Sequence, residues 1–346
     1  MELVQEKKST IALLDLIKMI LSFMIVAIHT QLFDPYLYPW LRLAVPLFFT
    51  ISAYLFFAKL KECESSREKN QALKSFVMRN VKLYAFWFIV LSPIILVLRW
   101  NTWFSSGIVV GLINIVINVF IGSTFTGAWF ISALVIGTVI IFFSSKKLSC
   151  KALLIIGGII YVLVSIRSSY IHLFADMPWA MKIAYAYERF LNSPVNSFPA
   201  AIFWVALGKA FADGFAIKKK ASIIGVAVSA VLLFCEWLLV KYLFGMYNND
   251  FYIMLAPLTV SIFSLIISAP RREIKYAYQM RKISTVTYVS HGAIVFILGS
   301  GLRNLFDITL PRVAIFLITI ALTIALTLVI VWLKKFKYFK WLKFAL

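Results

Sequence analysis

The sequence contains 346 residues, of which 62% are hydrophobic and 14% are charged, and its formal net charge is +21. A soluble domain has about 45–50% apolar and about 25% charged residues, so this composition excludes an ordinary soluble fold and indicates a helical integral membrane protein. The lysines and arginines lie in short segments between apolar runs, as they do in cytoplasmic loops. This placement argues against nucleic-acid binding.

The cysteines and the amino-terminal region set two further expectations. Cys63, Cys150 and Cys235 lie in separate segments without metal-ligand spacing, so we expect neither a disulfide framework nor a metal site. We also expect no resident cofactor. The first apolar segment, Ile11–Gln31, is longer than a signal-peptide core, and we expect it to be retained as the first span.

That first span carries three polar residues whose burial in a membrane costs free energy, Asp15, Lys18 and His29. A charge at bilayer depth costs roughly 2.5–3.5 kcal/mol on insertion scales, so such residues indicate function by default. At helical periodicity, Lys18, Ser22, Ile25 and His29 share one stripe. A rise of 1.5 Å per residue separates Lys18 from His29 by about 16 Å. The alternative is a purely structural role, in which Asp15 and Lys18 neutralise each other as i,i+3 neighbours.

Eleven apolar segments are candidates for membrane spans, each full crossing needing about 17–25 residues. In chain order they are Ile11–Gln31, Trp40–Lys59, Phe76–Leu98, Gly107–Ile121, Gly127–Phe143, Ala152–Ile166, Val195–Ala216, Ala221–Phe244, Phe251–Ala269, Ile283–Leu302 and Pro311–Leu333. The basic clusters are Lys7-Lys8, Lys59 to Lys82, Lys146-Lys147 with Lys151, Lys218 to Lys220, Arg271-Arg272 through Lys282, and Lys334 to Lys343.

If all of these clusters are cytoplasmic, both ends of Gly107–Ile121 lie on one side of the membrane. This segment is short and carries Asn114 and Asn118 at helical spacing. We therefore predict that it is re-entrant or interfacial. The result is an all-α transmembrane bundle of about ten spans with both termini cytoplasmic, forming one domain over residues 1–346. The alternative is eleven full spans with one basic loop on the other side.

The two longest connections fall on opposite sides in this topology. Lys59–Arg79 is a basic inner loop, and Arg167–Pro194 is an outer loop of mixed charge with several aromatic residues. The outer composition suits either stacking on sugars or lying at the interface, where tryptophan and tyrosine are common. Within the eighth span, Glu236 lies near Lys241, and we expect the two to pair.

Several segments resemble membrane-bound acyltransferase family 3, which includes O-acetyltransferases of bacterial surface polysaccharides. Residues 15–18 with His29 are similar to its D-x-x-R and downstream histidine, residues 42–55 to its V-P-L-F-F-x-x-S-G-Y-L, and residues 79–84 to its R-x-x-R-L-Y. Weaker similarities lie at residues 128–130, 203–208 and 287–291. Lys18 and Lys82 replace arginines, and Ala53 replaces a glycine. A lysine keeps the charge but loses the planar two-pronged fork.

The resemblance implies a division of roles among the polar residues. The catalytic candidates are His29, Arg42 and Asp15. His29 is the expected base, since histidine suits proton transfer near neutral pH, and Arg42 would polarise the acyl carbonyl or hold the acceptor. The donor-binding candidates are Lys18, Arg79, Lys82 and His291, the first three at the inner ends of their spans and His291 in the inner half of its own.

Each of these roles has a structural alternative. His29 and His291 could be neutral residues bonded between helices, Arg42 could reach lipid headgroups, and Arg79 and Lys82 could be ordinary positive-inside charges or contacts to anionic lipids.

The sequence therefore predicts a bacterial cell-membrane acyltransferase. It would move an acyl group, expected to be acetyl, from cytoplasmic acyl-CoA to a hydroxyl of a surface polysaccharide or of its lipid-linked precursor. The phosphates of the donor would stay at Arg79 and Lys82 while its pantetheine arm follows the polar stripe towards His29. An acyl-enzyme relay is the alternative chemistry. A secondary transporter or flippase and an assembly subunit of a surface-polymer machine are the rival functions.

Overall fold

A computed structural model describes residues 2–32, 36–174, 176–191, 194–245, 250–270 and 274–346. Helices account for 81% of the structure, and the described residues contain no strand. The all-α prediction is therefore confirmed. Arg271 and Arg272, one of the predicted basic clusters, lie outside the described residues, as do the side chains of Lys7 and Lys8.

The α-helices are numbered here in chain order. They are α1 Glu2–His29, α2 Tyr38–Leu41, α3 Ala44–Leu60, α4 Ser66–Val90, α5 Ser92–Phe104, α6 Ile108–Phe120, α7 Ala128–Ser144, α8 Cys150–Ser165, α9 Pro178–Leu191, α10 Pro199–Ala212, α11 Lys219–Phe244, α12 Leu255–Ile267, α13 Ala277–Phe296, α14 Leu302–Phe306 and α15 Arg312–Leu333. Short π-helical segments are Ile166–Tyr170 and Ile297–Gly301, and 3₁₀ segments are Ile171–Phe174, Pro194–Asn196 and Lys337–Ala345.

Six helical stretches among the described residues are long and apolar enough to cross a membrane, and a bent pair would make seven. Four shorter apolar helices, α6, α7, α10 and α12, have 10–17 residues. A count of ten would require three of these four to cross as well. The predicted membrane bundle is thus supported as a class, while the number of spans and the sides of the termini stay predictions.

Three predicted boundaries are wrong. The third predicted span, Phe76–Leu98, is two helices, α4 and α5, at 80° to each other, and Pro93 explains the break because proline is tolerated only in the first turn of a helix. The predicted inner loop is mostly helix, since α4 starts at Ser66 behind the N-cap hydroxyl of Ser65, which accepts the Glu68 N–H at 3.1 Å. The predicted outer loop is also largely helical, with α9 in it.

Helices α1 and α13 form a polar seam. The Arg281 guanidinium binds the Asp15 carboxylate, the Ser284 hydroxyl donates to the Lys18 carbonyl at 2.9 Å, and the His291 ring contacts His29. The contacts advance in the same direction along both chains, so the two helices are parallel. The polar stripe of the first span is therefore the face that packs on α13.

Helices α3 and α10 pack closely because Gly208 has no side chain. A Cβ at this position would lie 2.5 Å from the Thr50 carbonyl oxygen and 2.7 Å from the Ala53 Cβ. Small residues allow this kind of close helix approach in membrane proteins. The segment 203–208, one of the weaker family similarities, thus contributes the glycine that packs against Ala53. Ala53 is the residue that replaces a glycine of the family pattern.

We expect Gly208→Ala to lower stability by roughly 1–3 kcal/mol, as overpacking of a filled core does. The Thr50 backbone that the new methyl group meets cannot rotate away, so α3 and α10 must separate. The measurement is thermal unfolding of the purified protein in detergent. Gly158→Ala is the matched control, since nothing lies within 4 Å of a Cβ there. Equal melting temperatures for the two variants would contradict this account of the helix contact.

Candidate active site

His29 and His291 meet where α1 ends. Their ring centroids are 4.9 Å apart and the ring planes are inclined by 43°. His29 is the last residue of α1, and among the described residues its ring nitrogens make no hydrogen bond. The ring is exposed although protein atoms surround it on most sides, so it lines a recess in the bundle.

His291 is fully buried and its tautomer follows from its contacts. Its Nδ1 lies 2.8 Å from the Tyr288 carbonyl oxygen and 3.1 Å from that of Thr287. Carbonyl oxygens only accept, so Nδ1 carries the proton and donates. In the neutral ring Nε2 then holds a lone pair, and it is buried with no hydrogen-bond partner among the described residues. The ring lies beside His29, so the predictions of an outer-end position for His29 and an inner-half position for His291 cannot both hold.

Arg42 lies close enough to His29 for its charge to act on the ring. Its Nη1 forms an ion pair with Asp250, and its guanidinium stacks 4.4 Å from the centre of the Tyr38 ring. The buried Nε atom has no hydrogen-bond partner among the described residues. Arg42 is thus positioned by two neighbours beside the histidines with one donor to spare, and the alternative of an arginine reaching only to headgroups does not describe it.

At the other end of the seam between α1 and α13, the Arg281 guanidinium donates two parallel hydrogen bonds to the Asp15 carboxylate. Its Nε donates to Oδ1 at 2.9 Å and its second Nη to Oδ2 at 2.7 Å. Asp15 is 2% exposed, so its charge is compensated inside the protein. The bidentate partner of Asp15 is therefore Arg281, and not Lys18 as in the alternative of i,i+3 pairing. Asp15 lies 14 residues before His29, about 21 Å along the helix, and does not join the histidine pair.

Lys18 and Arg79 lie around the ion pair of Asp15 and Arg281. Together with Arg281 they form a cationic cluster. The charges of Asp15, Arg79 and Arg281 all act on Lys18, and the charge of Arg281 also acts on Arg79. Three cations and one carboxylate leave an excess of two positive charges. Lys18 is partly exposed and Arg79 is exposed, although protein surrounds both. The cluster can accept an anionic group from the side of the bundle where α1, α4 and α13 meet.

The middle of the predicted stripe is closed. Ser22 is 0% exposed and Ile25 is 4% exposed. The Ser22 hydroxyl donates to the Met19 carbonyl oxygen of its own helix at 2.7 Å, so its hydrogen is not available to a ligand. The recesses at Lys18 and at His29 are therefore not joined along this line.

Lys82 does not belong to the cationic cluster. Its ammonium lies 5.2 Å from the Phe344 ring centre, in the carboxyl-terminal segment Lys337–Ala345. The carbonyl of Ala345 in turn accepts a bond from the Trp87 indole at 3.2 Å. Of the two predicted cations on α4, only Arg79 faces Lys18 and Arg281.

The predicted pairing of Glu236 with Lys241 is wrong. The Glu236 carboxylate accepts from the Tyr170 hydroxyl and from the backbone N–H groups of Ile253 and Met254, the latter at 2.8 Å. It thereby satisfies donors at the start of α12. Lys241 instead lies among three rings, Tyr36, Trp237 and Tyr242, at 5.1–5.6 Å.

The family-like segments gather behind His291. Phe48 lies 5.6 Å from Tyr288 and 5.9 Å from Phe130, and Phe49 packs on Phe130 at 4.2 Å. The Tyr288 hydroxyl also donates to the Gly127 carbonyl at 3.2 Å. These aromatic residues hold α3, α7 and α13 together and fix the helix that carries His291.

Sequence reasoning did not single out Arg281 as a site residue. A signal was present, because Arg281, Ser284, Tyr288 and His291 recur at i, i+3, i+7 and i+10 on α13. This second polar stripe matches the one on α1. Within the described residues, no group of three histidine, cysteine or acidic side chains could hold a metal ion.

Comparison with protein families gives one finding. The family 3 model described as an acyltransferase domain matches residues 11–332. The match includes α1 from residue 11 onwards with both of its recesses, the bent α4–α5 pair and nearly all of α15. Comparison with curated proteins and with solved structures found no match.

Proposed function

Because this chain belongs to acyltransferase family 3 and is a multi-pass membrane acyltransferase, we propose that it transfers an acetyl group from cytoplasmic acyl-CoA. The acceptor is a hydroxyl of a cell-surface polysaccharide or of its lipid-linked precursor. One observation carries the proposal: an exposed histidine, His29, in contact with a buried one, His291, lies about 16 Å along α1 from an accessible cationic cluster.

The chemistry assigned to the histidine pair is direct acyl transfer. The acceptor oxygen attacks the thioester carbonyl, a C–O bond forms and the C–S bond breaks. The hydroxyl proton moves to a ring nitrogen of His29 and passes to the departing thiolate, so that the products are an ester and free CoA thiol. His291, with its unpaired Nε2, would accept the other N–H of His29 and hold the tautomer that is competent as a base.

The donor phosphates fit the cationic cluster. Arginine and lysine bind phosphate through charge-assisted hydrogen bonds, and Arg79 and Lys18 are accessible there. Arg281 is already committed to Asp15 and contributes charge. Since Ser22 and Ile25 fill the seam, the pantetheine arm would lie beside the α1–α13 contact. Lys82 contributes less than the family motif implies.

The acceptor fits the side of His29 that carries aromatic residues and Arg42. Tyr36 is 62% exposed and meets Trp237 edge-on, with ring centroids 6.1 Å apart. Exposed aromatic rings offer flat apolar faces on which the C–H face of a sugar packs. The unpaired Nε of Arg42 would stabilise the carbonyl oxygen as charge develops on it.

This assignment uses the topology predicted from loop charge. Both termini and the Lys18 end of α1 are cytoplasmic, about ten segments cross, and the membrane is the bacterial cell membrane. The arrangement lets a cytoplasmic donor meet an acceptor at the outer side.

The test is transfer of labelled acetyl from acetyl-CoA by the pure protein in liposomes that contain a lipid-linked saccharide. We expect labelled ester to form with release of free CoA thiol. A transporter would move the saccharide and release no thiol. Absence of ester and thiol with every acceptor offered, despite correctly inserted protein, would refute the proposed function.

The two cations on α4, Arg79 and Lys82, should differ in how much they contribute to donor binding. Arg79→Gln is expected to raise the KM for acetyl-CoA by about 10- to 100-fold, which corresponds to loss of a hydrogen bond to a charged group. Lys82→Gln should change KM little, since Lys82 faces Phe344. Steady-state thiol release at varied donor concentration measures both. A larger effect at Lys82 than at Arg79 would contradict the assignment.

A further inference from the structure

Four lysines from separate parts of the chain converge on one cavity of about 260 Å³. Lys61 follows α3, Lys69 lies in the first turns of α4, Lys146 follows α7, and Lys209 lies in α10. The cavity therefore sits where four helix ends meet, on the side predicted to be cytoplasmic. Ordinary positive-inside lysines in loops need not share a cavity.

The charge of this cavity is unbalanced. Among the described residues that line it, one is acidic, Asp213, and it pairs with Lys209 at 2.5 Å. The other three lysines are left as an excess of three positive charges. The acidic residues of the nearby loop, Glu62, Glu64 and Glu68, do not line it. A concave site lined by one sign of charge focuses the field and attracts a counter-ion.

The remaining lining groups define the kind of anion. Ser66 and Asn70 offer neutral hydrogen-bond donors, and Phe57 and Phe142 form an apolar floor. The positive end of the α4 dipole adds to the field. Lysine ammonium groups bind phosphate as compact positive charges, and hydroxyl and amide groups donate further hydrogen bonds to its oxygens. An apolar floor beside them suits a phosphate that carries an organic substituent.

We propose that this cavity is a phosphate-binding site separate from the cationic cluster near α1. Lys69 and Arg79 are ten residues apart on α4, about 15 Å along the helix, so the two sites do not share their cations. Basic pockets between helices at the cytoplasmic face bind phosphorylated lipid headgroups, and the nucleotide of acyl-CoA carries the same chemistry. The site does not depend on the proposed transfer reaction.

The experiment compares two triple variants of the full-length protein in phosphate-free detergent. One removes cavity charges, Lys61→Gln with Lys69→Gln and Lys146→Gln. The matched control removes three exposed lysines of the same side that do not line the cavity, Lys147→Gln with Lys151→Gln and Lys218→Gln. The probes are adenosine 3′,5′-bisphosphate, followed by calorimetry, and phosphatidylglycerol in phosphatidylcholine nanodiscs, followed by native mass spectrometry.

We expect the cavity variant to lose at least tenfold in affinity for one probe, or for both, while the control stays within about twofold of the unmodified protein. Loss with the nucleotide assigns the site to the donor, and loss with phosphatidylglycerol assigns it to lipid. Equal binding by both variants, or no binding of either probe by the unmodified protein, would overturn the proposal. Neither readout needs acyl transfer, so failure here is distinct from failure of the proposed function.

A second measurement covers the case in which the cavity variant does not fold. Lysine labelling of the unmodified protein, read by mass spectrometry, should slow at Lys61, Lys69 and Lys146 when a probe is added. Labelling of Lys147 and Lys151 should not change. Equal labelling of both sets with and without the probes would reject the site.

Discussion

Replacing His29 with alanine is expected to lower kcat by about 10²- to 10⁴-fold, the usual contribution of a positioned general base. The expected loss is this large because His29 is the base that we assign to take the hydroxyl proton, and the neighbouring Nε2 of His291 is buried. The protein should still accumulate in the membrane. His29 is exposed and makes no hydrogen bond among the described residues, so its removal costs its ring contact with His291 and breaks no hydrogen bond. Thiol release with saturating substrates measures kcat.

The other two histidines give matched comparisons for this variant. His172→Ala removes an exposed ring that stacks on Phe244 at 5.9 Å and should leave kcat near that of the unmodified protein. His291→Ala should reduce kcat by less than His29→Ala, since His291 acts through its neighbour. Near-normal transfer by His29→Ala would show that this histidine only packs helices.

The second large effect is on stability, at the ion pair between Asp15 and Arg281. Arg281→Gln should cost about 3 kcal/mol, in the lower part of the range for breaking a buried pair, since the guanidinium is 46% exposed and partly screened by solvent. It leaves the carboxylate of Asp15, which is 2% exposed, without its two charge-assisted bonds. Lys18 would compensate only in part. Unfolding in sodium dodecyl sulfate measures the change.

The pair should also respond asymmetrically. Asp15→Asn leaves behind a half-exposed guanidinium that solvent can hydrate, so it should destabilise less than Arg281→Gln. The double variant should recover part of the loss because the buried carboxylate that needs a partner is no longer present. If Asp15→Asn proved the more damaging change, or if the double variant showed the sum of both losses, the buried carboxylate would not be the group that needs its partner.

Local patterns accounted for much of the fold and part of the site. Helical periodicity placed Lys18 and His29 on one face, and apolar runs located most helices to within a few residues. The bend after Val90 escaped a reading based on hydropathy, because an apolar run is equally compatible with a straight and a broken helix. The predictions that Lys59–Arg79 and Arg167–Pro194 are loops were wrong for the converse reason. The helices in these segments lack an apolar run of span length, and an amphipathic helix shows in the periodicity of its apolar residues and not in their run length.

Composition and hydropathy were enough to predict a membrane bundle in which Asp15, Lys18 and His29 need partners, because an uncompensated polar group in a span is too costly to retain. They could not say which partners. Asp15 and Arg281 are 266 residues apart, and any of several cations would have met the same electrostatic need. Only the tertiary structure placed α13 parallel to α1, with Arg281 on Asp15 and His291 on His29. The stripe read as a passage is therefore a helix contact with an accessible recess at each end, since packing, which is not local, decides which polar groups face each other.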